Sequence, residues 1–464
     1  MSDELRPMPS AHSIAGGFSP LREVAFIIIV CMSQFITQEN IVCALSWFIA
    51  GYSLTVGTFI LVFGRFGDVF SYHRMFLVGY IWLAIWPLVA GLNVYSNHVL
   101  FIFARVLQGL GPAMLLPNGL SVLRATYAPG KKKNMIFAIF GATAPNGAIL
   151  GAVFSSLFSQ LAWWPWTYWA MAIVSVVCAL LGNIVIAPVQ HTDFKQYTFI
   201  QLLKTLDVFA SCLRIAGLVL VNVAWNQAPI VGWSTPYVYV LLIIGVVLLV
   251  SFIVELNYLE NPLVPMRAFT SDVLYILGCI TCGWGSFGIW FRGVSPLLGS
   301  AEFTPPGIVG CLACFTTGYL MSRVRPAWIM LASMTCFTVG NIFLVIAPVH
   351  QTYWALTFVC LRVIPWGMDM SFPAATLMLS NASSREHQGV AASLVTTVVN
   401  YSISLSLGFA GTVEVHVNNG GQTPGDVLKG YRGCMYLAIG LGSLGMALST
   451  LYTFCVVMLA LSYA

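Results

Sequence analysis

Runs of about twenty apolar residues recur fourteen times along this chain, and the short loops between them hold nearly every charge. An α-helix rises about 1.5 Å per residue and the hydrocarbon core of a bilayer is about 30 Å thick, so runs of this length can cross a membrane as helices. The spans read as 24–38, 41–63, 75–93, 98–123, 135–158, 166–187, 208–225, 237–255, 273–290, 307–321, 328–346, 353–378, 390–410 and 434–457. With 59% apolar and 8% charged residues, the chain inverts the balance of a water-soluble domain. The pattern predicts an all-α, polytopic membrane protein whose solvent is lipid.

Basic residues collect in loops of one parity: Arg65 and Arg74, Arg124 with Lys131, Lys132 and Lys133, Lys195 and Lys204, Arg267, Arg323 with Arg325, and Arg385. The opposite loops hold only Arg292, Lys429 and Arg432. By the positive-inside rule both termini are expected in the cytoplasm, as an even span count also requires. The lysine run then serves topology, and no nucleic-acid partner is expected. The first twenty residues lack the basic start, apolar run and cleavage site of a secretory signal, which leaves the first span as the expected targeting signal. Most of the twelve cysteines lie inside apolar runs, which argues against a secreted disulfide framework. Cys279 with Cys282 and Cys311 with Cys314 have the two-residue gap of zinc ligands, but their Leu, Ile, Phe and Gly neighbours supply no polar second shell, so no metal is expected.

The polar connection after six spans, and a second one after two more, divide the chain into 1–23, a cytoplasmic tail; 24–187, a lobe of six helices; 188–272, a linker with two extra transmembrane helices; and 273–464, a second six-helix lobe. A weak internal repeat supports the two sixes. Gly64-Arg65-Phe66-Gly67-Asp68 and Arg74 follow the second span, and Gly318 to Ser322 with Arg323 and Arg325 follow the second span of the last six. Parallel six-span repeats are the architecture of major facilitator transporters, with the substrate path between two lobes.

Three further segments carry chemistry. The Gly64 to Asp68 loop with His73 and Arg74 resembles the signature loop of the major facilitator superfamily, with Asp68 matching its acid and Arg74 one of its basic positions. Ser71 stands where that family has a second glycine, and a residue held there at positive φ is strained. In span four, Arg105, Gln108, Gly109, Gly111 and Pro112 resemble the family's arginine, glutamine, glycine motif, which the resemblance associates with proton coupling. An intramembrane Arg costs a few kcal/mol and needs a cavity, a partner or a snorkelling path to the interface. In span five, Gly141, Pro145, Gly147 and Gly151 resemble the antiporter motif of drug:proton exporters, with Ala144 in place of its usual glycine; close helix packing accounts for the same spacing.

The wider text, including Leu45 to Phe48, the tryptophan run at 163–166, Trp225 to Gln227 and Pro365 to Pro373, is similar to a fungal branch of fourteen-spanner drug:proton antiporters, near aminotriazole and boron exporters and low-affinity ammonium transporters. The resemblance implies two six-helix lobes plus two extra helices, no cofactor, and a proton-driven secondary transporter that acts as a monomer in the plasma membrane on a small-molecule substrate. Efflux of a small toxic compound or metabolite is the expected activity; uptake of a small cation such as ammonium, or a transport-defective homologue, are the alternatives. Two departures from the family are the short first span, fifteen residues or about 22 Å, and a ninth span that passes straight from Trp290 to Arg292 and Ser295-Pro296. Scattered histidines without metal-ligand spacing and the lack of a P-loop argue against an embedded enzyme or an ATP-driven pump.

Asp369 is the one acidic residue deep inside a span of the second lobe. It follows Arg362 by seven residues, on nearly one side of the helix, with the helix-bending Pro365 between them. Such a carboxyl could load and release a proton as its exposure alternates, or could be a static charge met by a neighbouring helix.

Overall fold

The structure, a computed structural model, describes residues 18–39, 46–96, 98–127, 161–187, 206–256, 270–294, 304–321, 323–348, 352, 354–382 and 388–462, with scattered helical positions between 132 and 158. All regular structure among them is helical: α1 (Pro20–Glu39), α2 (Ser46–Phe70), α3 (Tyr72–Leu92), α4 (His98–Gln108), α5 (Leu110–Thr126), α6 (Pro165–Val185), α7 (Val208–Val231), α8 (Pro236–Leu256), α9 (Ser271–Val294), α10 (Thr304–Leu320), α11 (Pro326–Ile346), α12 (Leu356–Ala382), α13 (Gln388–Val417) and α14 (Pro424–Ser462). Among the described residues, 11 segments are long and apolar enough to cross a membrane, and α4 with α5 form one of them, interrupted at Gly109. α10 is shorter, α12 carries Arg362 and Asp369, and most of the fifth apolar run lies outside the described residues.

Several helices begin upstream of the first strongly apolar residue. α1, α6, α8, α11 and α14 all open on proline. Proline's fixed φ and missing N–H suit a first helical turn, whose N–H groups have no intrahelical partner in any case. α1 therefore has 20 residues, about 30 Å, and matches a bilayer; the expected fifteen-residue span that barely crosses is corrected. α9 likewise continues past Trp290 to Val294, over 24 residues. α14 starts at Pro424 rather than Cys434 because Thr423 caps it: its hydroxyl accepts from the Asp426 N–H at 3.1 Å and donates to the Asp426 carboxylate at 2.6 Å.

The helices bury two large apolar clusters. One draws Phe26, Phe76, Tyr80, Leu83, Leu115 and Tyr168 from α1, α3, α5 and α6. The other draws Ile280, Met334, Phe337, Ile364 and Val395 from α9, α11, α12 and α13, joined by Ala50 of α2. α2 and α13 pack against each other between the two groups, and α7 lies along both. A Cβ at Gly57 of α2 would sit 3.1 Å from the Thr397 carbonyl oxygen and from the Tyr401 nitrogen of α13, so the two backbones touch there.

Polar groups tie this seam. The Asn226 amide of α7 donates to the Ser404 carbonyl at 3.1 Å and to Asn222 Oδ1 at 3.0 Å. The Ser404 hydroxyl lies 2.7 Å from the Ala50 carbonyl and 3.0 Å from Asn222 Oδ1, which compete for its single proton. Asn222 and Ser404 are fully buried. α8 covers the outer side of α7 and faces outward, with only 11% of its span buried.

The two ends of the bundle differ chemically. At one end, aromatic rings gather: Trp169 meets Trp163 and Trp166 at 5.6 and 5.5 Å, and Tyr95 meets Trp163 at 6.3 Å, as in an interfacial belt. At the other, Lys132 pairs with Glu23 at 2.6 Å and the Arg22 Nε caps the last turn of α6 by donating to the Val185 carbonyl at 3.0 Å.

The loop between α2 and α3 carries the strain its sequence suggests. Ser71, 8% exposed, sits at φ 108°, ψ 126°, a conformation that a Cβ penalises by about 1 to 3 kcal/mol. Ser71→Gly is expected to stabilise the protein by about 1 kcal/mol, after the larger unfolded-state entropy of glycine is subtracted. A thermal scan of the detergent-purified protein checks this; a lower midpoint for the glycine variant would contradict it.

Candidate functional site

Arg105 is 1% exposed, in the last turn of α4. It does not snorkel. Its guanidinium carbon lies 5.3 Å from the Tyr52 ring of α2 and 5.9 Å from the Tyr168 ring of α6, and its Nη1 donates to Gln108 Oε1 at 2.9 Å. Cation–π contacts and a charge-assisted hydrogen bond each offset part of the cost of desolvating the ion. Tyr52 is fixed in turn by donating to the Thr37 carbonyl at 2.8 Å, which links α1 to the same cluster. Gln108, fully buried, reaches Met171 Sδ at 4.0 Å on α6. Gly109 follows at the pause between α4 and α5, where Pro112 has no N–H to give the Gln108 carbonyl. A Cβ at Gly109 would lie 2.8 Å from the Tyr52 carbonyl oxygen, so glycine there lets α4 close on α2 and brings Arg105 over the Tyr52 ring.

The signature loop is built differently from an ion-pair clasp. Asp68, near the end of α2, is exposed and accepts from the Tyr72 hydroxyl of α3 at 2.6 Å, across the break at Ser71; Arg74 is exposed and no ion pair joins it to Asp68. The loop is anchored by Asn118 of α5, fully buried, whose amide donates to the Met114 carbonyl at 2.7 Å and to the Phe63 carbonyl of α2 at 3.2 Å. The repeat seen in sequence is not repeated in packing, since a Cβ at Gly318 would meet nothing within 4 Å. Of the span-five motif, Gly141 and Pro145 lie outside the described residues. Gly147 and Gly151 are helical and buried, and a Cβ at Gly147 would come 2.5 Å from the Phe35 carbonyl oxygen, a close approach to α1.

In the other group of helices, Asp369 lies midway along α12, partly buried, beside the Cys314 thiol of α10. Arg362 does not join it: the guanidinium is exposed and stacks 4.3 Å over Phe358 of its own helix. Two buried or half-buried prolines bracket the acid, Pro365 four residues before and Pro373 four after. Pro365 frees the Leu361 carbonyl from the helical ladder, and Pro373 frees the carbonyl of Asp369 itself. The acid thus stands beside backbone acceptors released from the helical ladder, in a helix that can bend on either side of it. The same helix is held to its neighbours by the Ser333 hydroxyl donating to the Gly367 carbonyl at 2.7 Å and by Trp284 Nε1 donating to Ser371 Oγ at 3.1 Å.

Sequence reasoning passed over the aromatic partners of Arg105, the Cys314 partner of Asp369, the anchor Asn118, the seam residues Asn222, Asn226 and Ser404, and a second buried intramembrane arginine, Arg214. The signal that could have found the polar ones is simple: an Asn or Arg inside an apolar run must be met by protein.

A family model described as Major Facilitator Superfamily matches residues 24–409. The chain is 49% identical to the low affinity ammonium transporter of Saccharomyces cerevisiae, over 94% of this chain and 89% of that protein. It is 42% identical to the efflux pump terJ of Aspergillus terreus, over 93% and 88%, and 38% identical to the aminotriazole resistance protein of Saccharomyces cerevisiae, over 88% and 76%. Among solved structures, a peptide transporter POT in complex with sulfate shares the fold over 93% of this chain and 95% of that one, with a TM-score of 0.60 at 14% identity. The helices, the signature loop and these likenesses together make the chain a member of the major facilitator superfamily, an integral multi-pass membrane transporter of small molecules and not an enzyme.

Proposed function

We propose that this protein is a proton-coupled secondary transporter that exports a small toxic compound or metabolite across the plasma membrane, acting as a monomer. Fourteen transmembrane helices are arranged as a six-helix lobe over 24–187, a linker with two helices over 188–272 and a second lobe over 273–464, with both termini and the short tail 1–23 in the cytoplasm. The observation that carries the reading is Asp369: a carboxyl within an apolar span, beside a thiol and with no cation paired to it among the described residues, flanked by two prolines inside α12. A carboxyl whose exposure alternates as α12 bends can take a proton from one side and release it to the other. Arg105, held among Tyr52, Tyr168 and Gln108, is the fixed charge of the other lobe, and Asp68 with Arg74 belongs to the gating loop. The close packing at Gly109 and Gly147 keeps α4 and the span over 135–158 against their neighbours during the cycle.

Uptake of a small cation such as ammonium is the second reading, favoured by the 49% identity to a low affinity ammonium transporter. Proteoliposomes with an imposed proton gradient separate the two. Radiolabelled methylammonium entering with protons supports uptake, whereas proton-driven expulsion of a dye or aminotriazole supports export.

Two outcomes are expected. Asp369→Asn abolishes gradient-driven transport and leaves downhill exchange and membrane insertion largely intact; full gradient-driven transport by the variant would remove Asp369 from the coupling path and leave Arg105 and Asp68. For topology, single cysteines are introduced in a background without the exposed Cys212 and Cys455. An impermeant maleimide added to intact cells labels a cysteine at Ser96, beside the aromatic end, and not one within 128–134. The reverse pattern would invert the orientation.

A further inference from the structure

At the Asp68 end of α7, three buried side chains hold polar atoms that have no hydrogen-bond partner among the described residues, and a half-buried fourth stands on α8. The atoms are Oδ2 of Asp207, the N-cap of α7, Ser211 Oγ, and Nε and Nη2 of Arg214; on α8 the fourth is Glu255 Oε2. Asp207, Ser211 and Arg214 are 7%, 5% and 6% exposed, and their spacing of four and then three residues puts them on one helix face. Asp207 and Arg214 attract each other across two helical turns without closing an ion pair, and Glu255 and Arg65 are within electrostatic reach of Asp207. Burial pushes the Asp207 carboxyl above the usual carboxylate range in spite of Arg214.

Unpaired buried groups of this kind cost several kcal/mol each unless something meets them. The donors, Arg214 and Ser211, call for an anionic oxygen; the acceptors, Asp207 and Glu255, call for a cationic N–H. Arg65 and Arg214 against Asp207 and Glu255 make a set with no net formal charge, which suits a dipolar ligand better than a simple anion. Beside it, α7 and α8 present exposed apolar side chains, Phe209 at 68%, Val250 at 54% and Val254 at 50%, along which acyl chains can lie.

We infer that this cluster is a headgroup site for a phospholipid carrying a primary ammonium, with the phosphate on Arg214 and Ser211 and the ammonium between Asp207 and Glu255. It lies outside the Arg105 and Asp369 clusters. Because α7 also carries the Asn222 and Asn226 contacts to Ser404, an occupied site steadies the helix that spans the α2 and α13 seam. The inference is independent of transport direction and of orientation.

Native mass spectrometry of the detergent-purified full chain tests it, with phosphatidylethanolamine, phosphatidylcholine or phosphatidylglycerol added. The wild type is expected to hold one phosphatidylethanolamine about tenfold more tightly than either other lipid, since the quaternary ammonium of choline has no N–H and glycerol has no charge. Arg214→Gln is expected to lose that bound lipid. Asp207→Asn, which keeps a residue that tolerates the φ of 48° found there, is expected to bind ethanolamine and choline lipids alike. Equal retention of the three lipids by the wild type would overturn the inference and leave water as the partner of these groups. Displacement by millimolar O-phosphoethanolamine would assign the site to a soluble ligand and overturn the lipid source. Should Arg214→Gln aggregate, Asp207→Asn decides alone, and unchanged selectivity in that variant counts against the site.

Discussion

Lipid offers no hydrogen bonds, and that constraint governs every polar group in this protein. Its sharpest expression is the seam where α2 meets α13. Gly57 lets the two backbones touch, and along the same seam Asn226 donates to Asn222 and to the Ser404 carbonyl while the Ser404 hydroxyl meets the Ala50 carbonyl and Asn222 Oδ1. The added pair α7 and α8 is therefore more than a tether, since α7 supplies two of the three polar side chains at the contact between the groups of helices. A secondary transporter needs such a contact to hold without freezing. Hydrogen bonds of this type in membrane proteins are worth about 0.6 kcal/mol on average, weak enough to exchange during a conformational cycle.

Arg105 and Asp369 meet the same constraint in opposite ways. Arg105 is given partners: two tyrosine rings from α2 and α6 and a glutamine of its own helix, so its charge can persist while the surroundings move. Asp369 stands beside a thiol and, among the described residues, pairs with no cation, in a helix with two missing backbone hydrogen bonds. One site is built for a fixed charge and the other for a charge that changes, a division of labour that fits a proton-coupled carrier. Asp68 and Arg74, by contrast, lie at the surface, where their effect depends on which helix end they face in each state.

Much of the architecture was legible in the chain because helices in lipid need little more than length and apolarity. The helical content, the segment order and the strained Ser71 all follow from counting and from one missing glycine. Helix starts were misjudged for a physical reason: hydropathy ignores the proline and Thr423 caps that fix first turns, so α1 and α14 begin well before their apolar cores. The site was only half legible. Arg105 and Asp369 stand out as charges in apolar runs, but a seven-residue spacing does not bring Arg362 to Asp369, because an exposed guanidinium finds a better surface on Phe358 of its own helix.

What the sequence determined by itself is the membrane class, the helical architecture and which charges must be met by protein, because transfer into lipid is a property of each segment alone. Which group meets which was decided by tertiary structure. Tyr52 and Tyr168 lie 116 residues apart in sequence, as the numbers 52 and 168 show, and flank one guanidinium only after α2, α4 and α6 have packed. Ser404 reaches Ala50 and Asn222 only once α7 lies along the seam. Partner choice among buried polar groups depends on helix rotation and crossing, and those are set by the whole packing rather than by any one run of residues.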